Sequence, residues 1–362
     1  MNEVKLKEDF AREKNSEIEL ISPKNEEEIE LTNSVILKYI NGYKRGLSSE
    51  LFCEGENYEP NGLKLEWKSS KVGLWVVYLD YNPDFITPIT YTTNEKFIEI
   101  NEHFTAQKVY WKVALSDGTA SSQVYCFNLK RLPETISLEG VVNVRDIGGY
   151  EGLDGKRVKR GIIYRGAYVD DVTEKGKKIA RDSLKIRVDL DLRNEGEGSA
   201  NDENSPLGEN VKHILRCGCM YTGNEWSGVE HVGKEGIDIP EGARKLVEEL
   251  RVFACADNFP LYTHCVLGRD RTGTLIAVLL ALCGVSKRDI MLDYELSFFT
   301  KSGTAKKEDV LRITGYFEKV IEHIENFEGN SLSKKTESFL KSSGMTVEEI
   351  ISIRNNVLEE RI

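Results

Sequence analysis

The sequence predicts two structural parts: an antiparallel β-sandwich over residues 33–131, then an α/β domain over 132–362 with a mostly parallel central sheet flanked by helices. Three observations lead there. Short runs alternating apolar and polar residues recur through the first part, strand-like and helix-like runs alternate through the second, and Leu132-Pro133 stands between them as a hinge. Turn-separated strands point to a sandwich, whereas strand–helix alternation points to a sheet covered on both faces.

Composition sets the frame. The chain has 362 residues, 40% hydrophobic and 30% charged, which is enough apolar material for two cores. A formal net charge of -11 repels nucleic acid and anionic lipid, so no nucleic-acid partner is expected. No apolar run reaches the roughly eighteen residues that read as a membrane span. The longest, Leu275 to Cys283, reads as a buried helix. Residues 1–32 form a charged arm without the apolar centre of a signal peptide. Seven cysteines without regular spacing imply reduced thiols and a cytoplasmic setting, with secretion the alternative if a leader has been removed. Cys217 and Cys219 are the one close pair and His213 their one neighbouring ligand type, so neither metal nor cofactor is expected.

The strands of the first part are read at 63–67, 73–80, 96–100, 108–117 and 122–129, separated by turn signals such as Pro60-Asn61-Gly62, Asn82-Pro83 and Asp117-Gly118. The stretch Val109-Tyr110-Trp111-Lys112-Val113, followed by Asp117-Gly118-Thr119, resembles the late strands of fibronectin type III-like modules. That resemblance implies an immunoglobulin/fibronectin-like sandwich, a module suited to a protein partner.

In the second part, strands are read at 141–143, 162–164, 186–192, 211–215 and 260–264. Helices are read at 173–183, 242–253, 272–283, 307–327 and 346–358. Thr173 is placed as an N-cap, and Thr346 with Glu349 as a capping box.

One segment carries chemistry. After the strand ending at His264 come Cys265-Val266-Leu267-Gly268-Arg269-Asp270-Arg271, then Thr272-Gly273 and a buried helix. A loop leading into a helix N-terminus aims backbone N–H groups at one point, and the helix dipole adds partial positive charge. Gly268 permits the close backbone approach such a cradle requires. The field that holds an anion also favours a thiolate at Cys265, which is a strong nucleophile. Arg271, six residues on, can grip two phosphate oxygens at once.

His-Cys-x-x-Gly-x-x-Arg-Thr-Gly resembles the signature loop of the cysteine-dependent phosphatases. Asn143-Val-Arg145-Asp146, Tyr164-Arg165-Gly166 and Asp191-Leu192-Arg193, with an Asp inside the loop, are similar to the bacterial and fungal tyrosine phosphatases. That resemblance spans about residues 135–360 and leaves out the sandwich. It implies that Cys265 forms a phosphocysteine, Asp270 protonates the leaving oxygen and later activates water, and Thr272 hydrogen-bonds the departing thiolate. His264 would orient the loop, and Val266, Leu267, Gly268, Arg269 and Arg271 would bind the phosphate. Arg145, Asp146, Arg165, Asp191 and Arg193 would support the loop. The family typically has Lys where this chain has Arg269, which keeps the charge but alters reach.

The expected function is hydrolysis of phosphate monoesters, with a phosphorylated protein as substrate through phosphotyrosine. A phosphoinositide or dual-specificity activity is the alternative, since Arg269 beside Arg271 suits more than one phosphate. An inactive phosphate-binding scaffold is the reading from another class. Asp238, on a Gly-rich segment with Trp226, is the rival to Asp270 as acid. A fragment starting near Arg131 is expected to fold alone and cleave small aryl phosphates.

Overall fold

In the computed structural model of the chain, residues 17–42, 59–101, 103–130, 134–223, 236–300 and 307–360 are described. Leu132-Pro133 and Trp226, singled out above, lie outside them. The chain divides into two compact units, Met1–Leu31 with Asn61–Lys130 and Thr32–Pro60 with Arg131–Ile362. This is not the linear division that the sequence suggested.

The first unit contains β1 (Ile18–Ser22), β2 (Glu27–Ile29), β3 (Leu63–Ser69), β4 (Trp75–Asp80), β5 (Ile89–Thr93), β6 (Phe97–Ile100), β7 (Lys108–Leu115) and β8 (Tyr125–Leu129). They form a three-stranded sheet, β1-β3-β6, and a five-stranded sheet, β2-β8-β7-β4-β5. In β7 every second residue is buried, the period-two pattern of a strand with one face on a core. Leu65 and Trp67 of one sheet and Trp75, Val77, Trp111 and Val113 of the other share that core. Two elements depart from expectation. The described end of the charged arm is not loose: β1 pairs with β3 and buries Ile18 and Leu20. β2 runs parallel to β8. Two apolar residues on alternate positions, Ile18 and Leu20, outweigh the charge density around them.

The second unit begins with α1 (Ser34–Asn41), whose Ile36, Tyr39 and Ile40 sit in the apolar core of the α/β fold. α1 therefore belongs with the second unit, although the strands of the first unit follow it in the chain. The strands are β9 (Glu134–Thr135), β10 (Arg145–Asp146), β11 (Arg157–Val158), β12 (Ile163–Gly166), β13 (Val188–Asp191), β14 (Lys212–Leu215), β15 (Leu261–His264) and β16 (Leu358–Glu359). The helices are α2 (Glu174–Asp182), α3 (Pro240–Arg251), α4 (Asp270–Leu282), α5 (Lys287–Glu295), α6 (Lys307–Glu325), α7 (Leu332–Ser342) and α8 (Val347–Val357).

The six-stranded sheet runs β14-β13-β15-β12-β10-β9, its first four strands parallel and β10 antiparallel to both of its neighbours. All four residues of β12, β13 and β15 are buried, as a sheet covered on both faces requires. α4 is buried from Thr272 to Leu282, so it is apolar all round rather than striped. Thr173 caps α2, and Thr346 with Glu349 forms the capping box of α8.

The expected strand at 141–143 is absent. Asn143 instead takes φ of 62°, and pairing starts at Arg145. α4 begins two residues earlier than predicted because Asp270, a carboxylate in the first turn, suits the helix dipole.

Candidate active site

β15 ends at His264, the chain turns through Cys265–Arg269, and α4 begins at Asp270. Gly268 has φ of 66°, and a Cβ there would lie 2.0 Å from the Gly166 carbonyl oxygen. Only glycine fits that conformation and that approach.

Three layers of polar side chains hold this loop. Arg165 donates from Nη2 to the Gly268 carbonyl at 2.8 Å, and Asn143 Nδ2 donates to the Leu267 and Gly268 carbonyls at 3.0 and 3.3 Å. Arg145 in turn holds Asn143 Oδ1 at 2.6 Å. Behind both arginines lies Asp293 of α5, which pairs with Arg145 Nε at 3.0 Å and with Arg165 Nη1. Arg145, Arg165 and Asp293 are each 1% exposed. Burial, then the neighbouring Arg145 cation, pushes Arg165 down to about 10.

Asp146 accepts from Gly148 N at 2.8 Å and Gly161 N at 2.7 Å and so closes the turn beside β10. Asp191 and Arg193 bind each other, with Arg193 also gripping Asp170 at 3.0 Å. Their link to the loop runs through His264, 3.9 Å from Asp191 Oδ1.

Cys265 is 2% exposed. Burial alone would raise its thiol. The Arg271 charge and a hydrogen bond from the Thr272 side chain overcome that, and the thiol lies below its ordinary value. Arg271 donates from Nη1 to Glu197 Oε2 at 2.7 Å and to the Leu192 carbonyl at 3.2 Å, and from Nη2 to Glu197 Oε1 at 3.4 Å. Glu197 thus takes the end of the guanidinium. The Nε–Nη2 side edge has no other hydrogen bond among the described residues, and two parallel N–H groups there match two oxygens of one phosphate.

Asp270 is not a solitary carboxylate. Oδ1 accepts from Arg269 Nε at 2.8 Å and from the Tyr221 hydroxyl, which also contacts the Tyr294 hydroxyl. Arg269 is 7% exposed and packs over the Phe298 ring, 5.3 Å from its centroid. A second-phosphate role for Arg269 would require it to release Asp270. Asp238, the rival acid, accepts from Gly223 N at 2.6 Å.

Several participants carry no sequence signal. Asp293 is one of three acids in α5, Glu197 sits in a polar loop, and Asp189 is buried in mid-strand. Tyr221 and Tyr294 meet only in the fold. Among the described residues, no group of three His, Cys, Asp or Glu is placed to hold a metal ion. No described helix is long and apolar enough to cross a membrane.

Comparison with known proteins follows this geometry. No curated protein matches the chain. The core catalytic domain of the PP-IP phosphatase SIW14 from S. cerevisiae, solved in complex with citrate, is 23% identical with a TM-score of 0.29, covering 45% of this chain and 85% of its own. The family model described as "Tyrosine phosphatase family" matches residues 136–359, from the strand edge of the second unit to its last strand. The chain belongs to the tyrosine phosphatase family, a family of cysteine-based phosphatases.

Proposed function

We propose that this chain hydrolyses phosphate monoesters through a phosphocysteine, with phosphotyrosine in proteins as the substrate. The observation that carries this reading is the place of Cys265: a buried thiol in the loop between β15 and the N-terminus of α4, where the Arg271 charge favours its thiolate.

The Arg271 side edge and the loop amides take the phosphate. The Cys265 thiolate attacks phosphorus, the bond to the substrate oxygen breaks, and that oxygen takes a proton from Asp270. Water then attacks the same phosphorus and gives its proton to Asp270, and the S–P bond breaks to release thiolate and phosphate. Asp270 acts after turning from Arg269. His264 and Thr272 steady the loop and the thiolate, and Val266, Leu267 and Gly268 supply its backbone. Arg145, Arg165, Asp191 and Arg193 act through the loop rather than on the phosphate. The route uses no metal.

The first unit reads best as a fibronectin type III-like sandwich that meets the protein substrate, a reading supported by two sheets around one core.

The test uses the full chain with EDTA present. Wild type is expected to turn over an aryl phosphate and phosphotyrosyl peptides, and orthovanadate is expected to stop it. Cys265→Ser is expected to bind vanadate without turnover. Steady turnover by Cys265→Ser overturns the mechanism, a chain that binds phosphate but never turns it over is the scaffold, and preference for phosphoinositides over phosphopeptides overturns the substrate.

A further inference from the structure

Behind the loop, three neighbouring strands bring a row of charged groups together. Asp189 and Asp191 are two apart on β13, so they share one face of the strand. The parallel pairing sets Asp191 opposite His264 of β15 and Asp189 opposite His213 of β14. Asp189, Asp191 and His264 have no exposure to solvent.

The distances join them into a chain. Ser205 Oγ donates to Asp189 Oδ2 at 2.6 Å, and Asp189 Oδ1 lies 3.0 Å from His264 Nε2. Asp191 Oδ2 lies 3.5 Å from His213 Nε2 and is held by Arg193. On its other side His264 Nδ1 lies 3.1 Å from the carbonyl oxygen of Cys265.

That geometry constrains the proton count. A neutral imidazole donates from one nitrogen only. An oxygen lies beside each ring nitrogen of His264, a carboxylate at Nε2 and a carbonyl at Nδ1, and the imidazolium, with an N–H at each nitrogen and a positive charge, is the form that suits both. Charge agrees: Arg193 and the His264 imidazolium lie among the carboxylates of Asp170, Asp189 and Asp191, with the His213 ring at the far end of the row. Buried carboxylates need such partners. Burial alone would lower His264, but the two aspartates raise it to about 9. Asp191 likewise raises His213. The other titratable or charged groups around it are the neutral phenol of Tyr262 on the same strand, Arg145 on β10, Arg165 on β12 and Arg271 on α4.

We propose that Asp189 is a positioning residue for Cys265: its carboxylate keeps His264 an imidazolium that grips the Cys265 carbonyl, and His213 feeds the same row through Asp191. The cation sits one residue from the nucleophile and favours its thiolate, and the gripped carbonyl fixes the first peptide of the loop. The inference rests on the reading of Cys265 as the nucleophile.

The test is the pH profile of Cys265 alkylation by iodoacetamide in the full chain, with the labelled residue identified by mass spectrometry. Asp189→Asn keeps the side-chain shape and removes the charge. Its profile is expected to move up by about one pH unit, the size of effect one nearby charge produces. His213→Gln, on the half-exposed strand β14, is expected to move it the same way by less. A merely structural role would lower kcat and leave the profile in place. If Asp189→Asn fails to fold, His213→Gln carries the same prediction. A profile superimposable on wild type in a folded variant overturns the proposal. Turnover that survives complete labelling of Cys265 sinks the nucleophile reading instead, while the profiles still report the link between Asp189 and Cys265.

Discussion

Replacing Asp293 with Asn tests the deepest support of the loop. The substitution keeps the side-chain shape and the backbone carbonyl that Arg145 Nη2 binds at 2.7 Å. It removes the single carboxylate between two guanidiniums, each 1% exposed. Breaking a buried pair by removing one partner costs about 3–5 kcal/mol. Urea unfolding at pH 7 is therefore expected to show a loss of about 3–5 kcal/mol in Asp293→Asn. Turnover by the protein that remains folded should fall at least about tenfold, because Arg165 also holds the Gly268 carbonyl. A stability within about 1 kcal/mol of wild type, the range of an exposed pair, or unchanged turnover, refutes the reasoning.

Four further outcomes are expected. Asp270→Asn should depress turnover of phosphotyrosine far more than of a nitrophenyl-type ester, by about 10²–10⁴-fold, with Asp238→Asn as the control; leaving-group dependence in Asp238→Asn alone assigns the acid there. Glu197→Gln should raise KM several-fold with a smaller change in kcat, because Glu197 fixes the Arg271 edge; an unchanged KM and vanadate affinity counts against that edge. The His264 imidazolium, at about 9 in the fold against about 6.5 in an unfolded chain, stabilises fully below about pH 6.5. That stabilisation is lost as pH rises through about 9, so the urea midpoint should fall between pH 7 and 9.5, and less so in His264→Gln. Finally, a fragment starting at residue 131 lacks α1, so burial of Ile36, Tyr39 and Ile40 is lost, at about 1.5–3 kcal/mol for a large apolar side chain. The Tyr39 hydroxyl bonded to buried Glu295 goes with them. That fragment should be unfolded or aggregated, contrary to the sequence-based expectation, and a wild-type midpoint would overturn this.

The loop was legible because its chemistry is local. Cys265 and Arg271 lie within one turn of chain, and the strand before and helix after them have strong apolar patterns. Each helix read from periodicity exists, with ends displaced by one or two residues where a cap or a first-turn carboxylate decides the boundary. What supports the loop was not legible for the same reason. Asp293 reaches Arg145 and Arg165 across more than a hundred residues of sequence, and no pattern around it distinguishes it from a surface acid. Asp189 reads as an interruption in an apolar strand. β1 was hidden by the charge of its neighbours, although Ile18 and Leu20 stand on alternate positions. α1 has the apolar spacing of a helix, but nothing local says which core it joins.

The membership of α1 in the second unit has a consequence for synthesis. The helix leaves the ribosome before any strand of the second unit's sheet. At roughly 5–20 residues per second, the stretch from Asn41 to Glu134 takes on the order of 5–20 s to make. In that interval the first unit completes its last strand at Leu129 and can close. α1 meanwhile has Ile36, Tyr39 and Ile40 without their partners, and it must wait until Glu295 of α5 and Phe299, which Tyr39 contacts, have emerged. The nascent chain therefore carries an apolar helix through most of its translation, and a chaperone that shields such surfaces would act on this segment first.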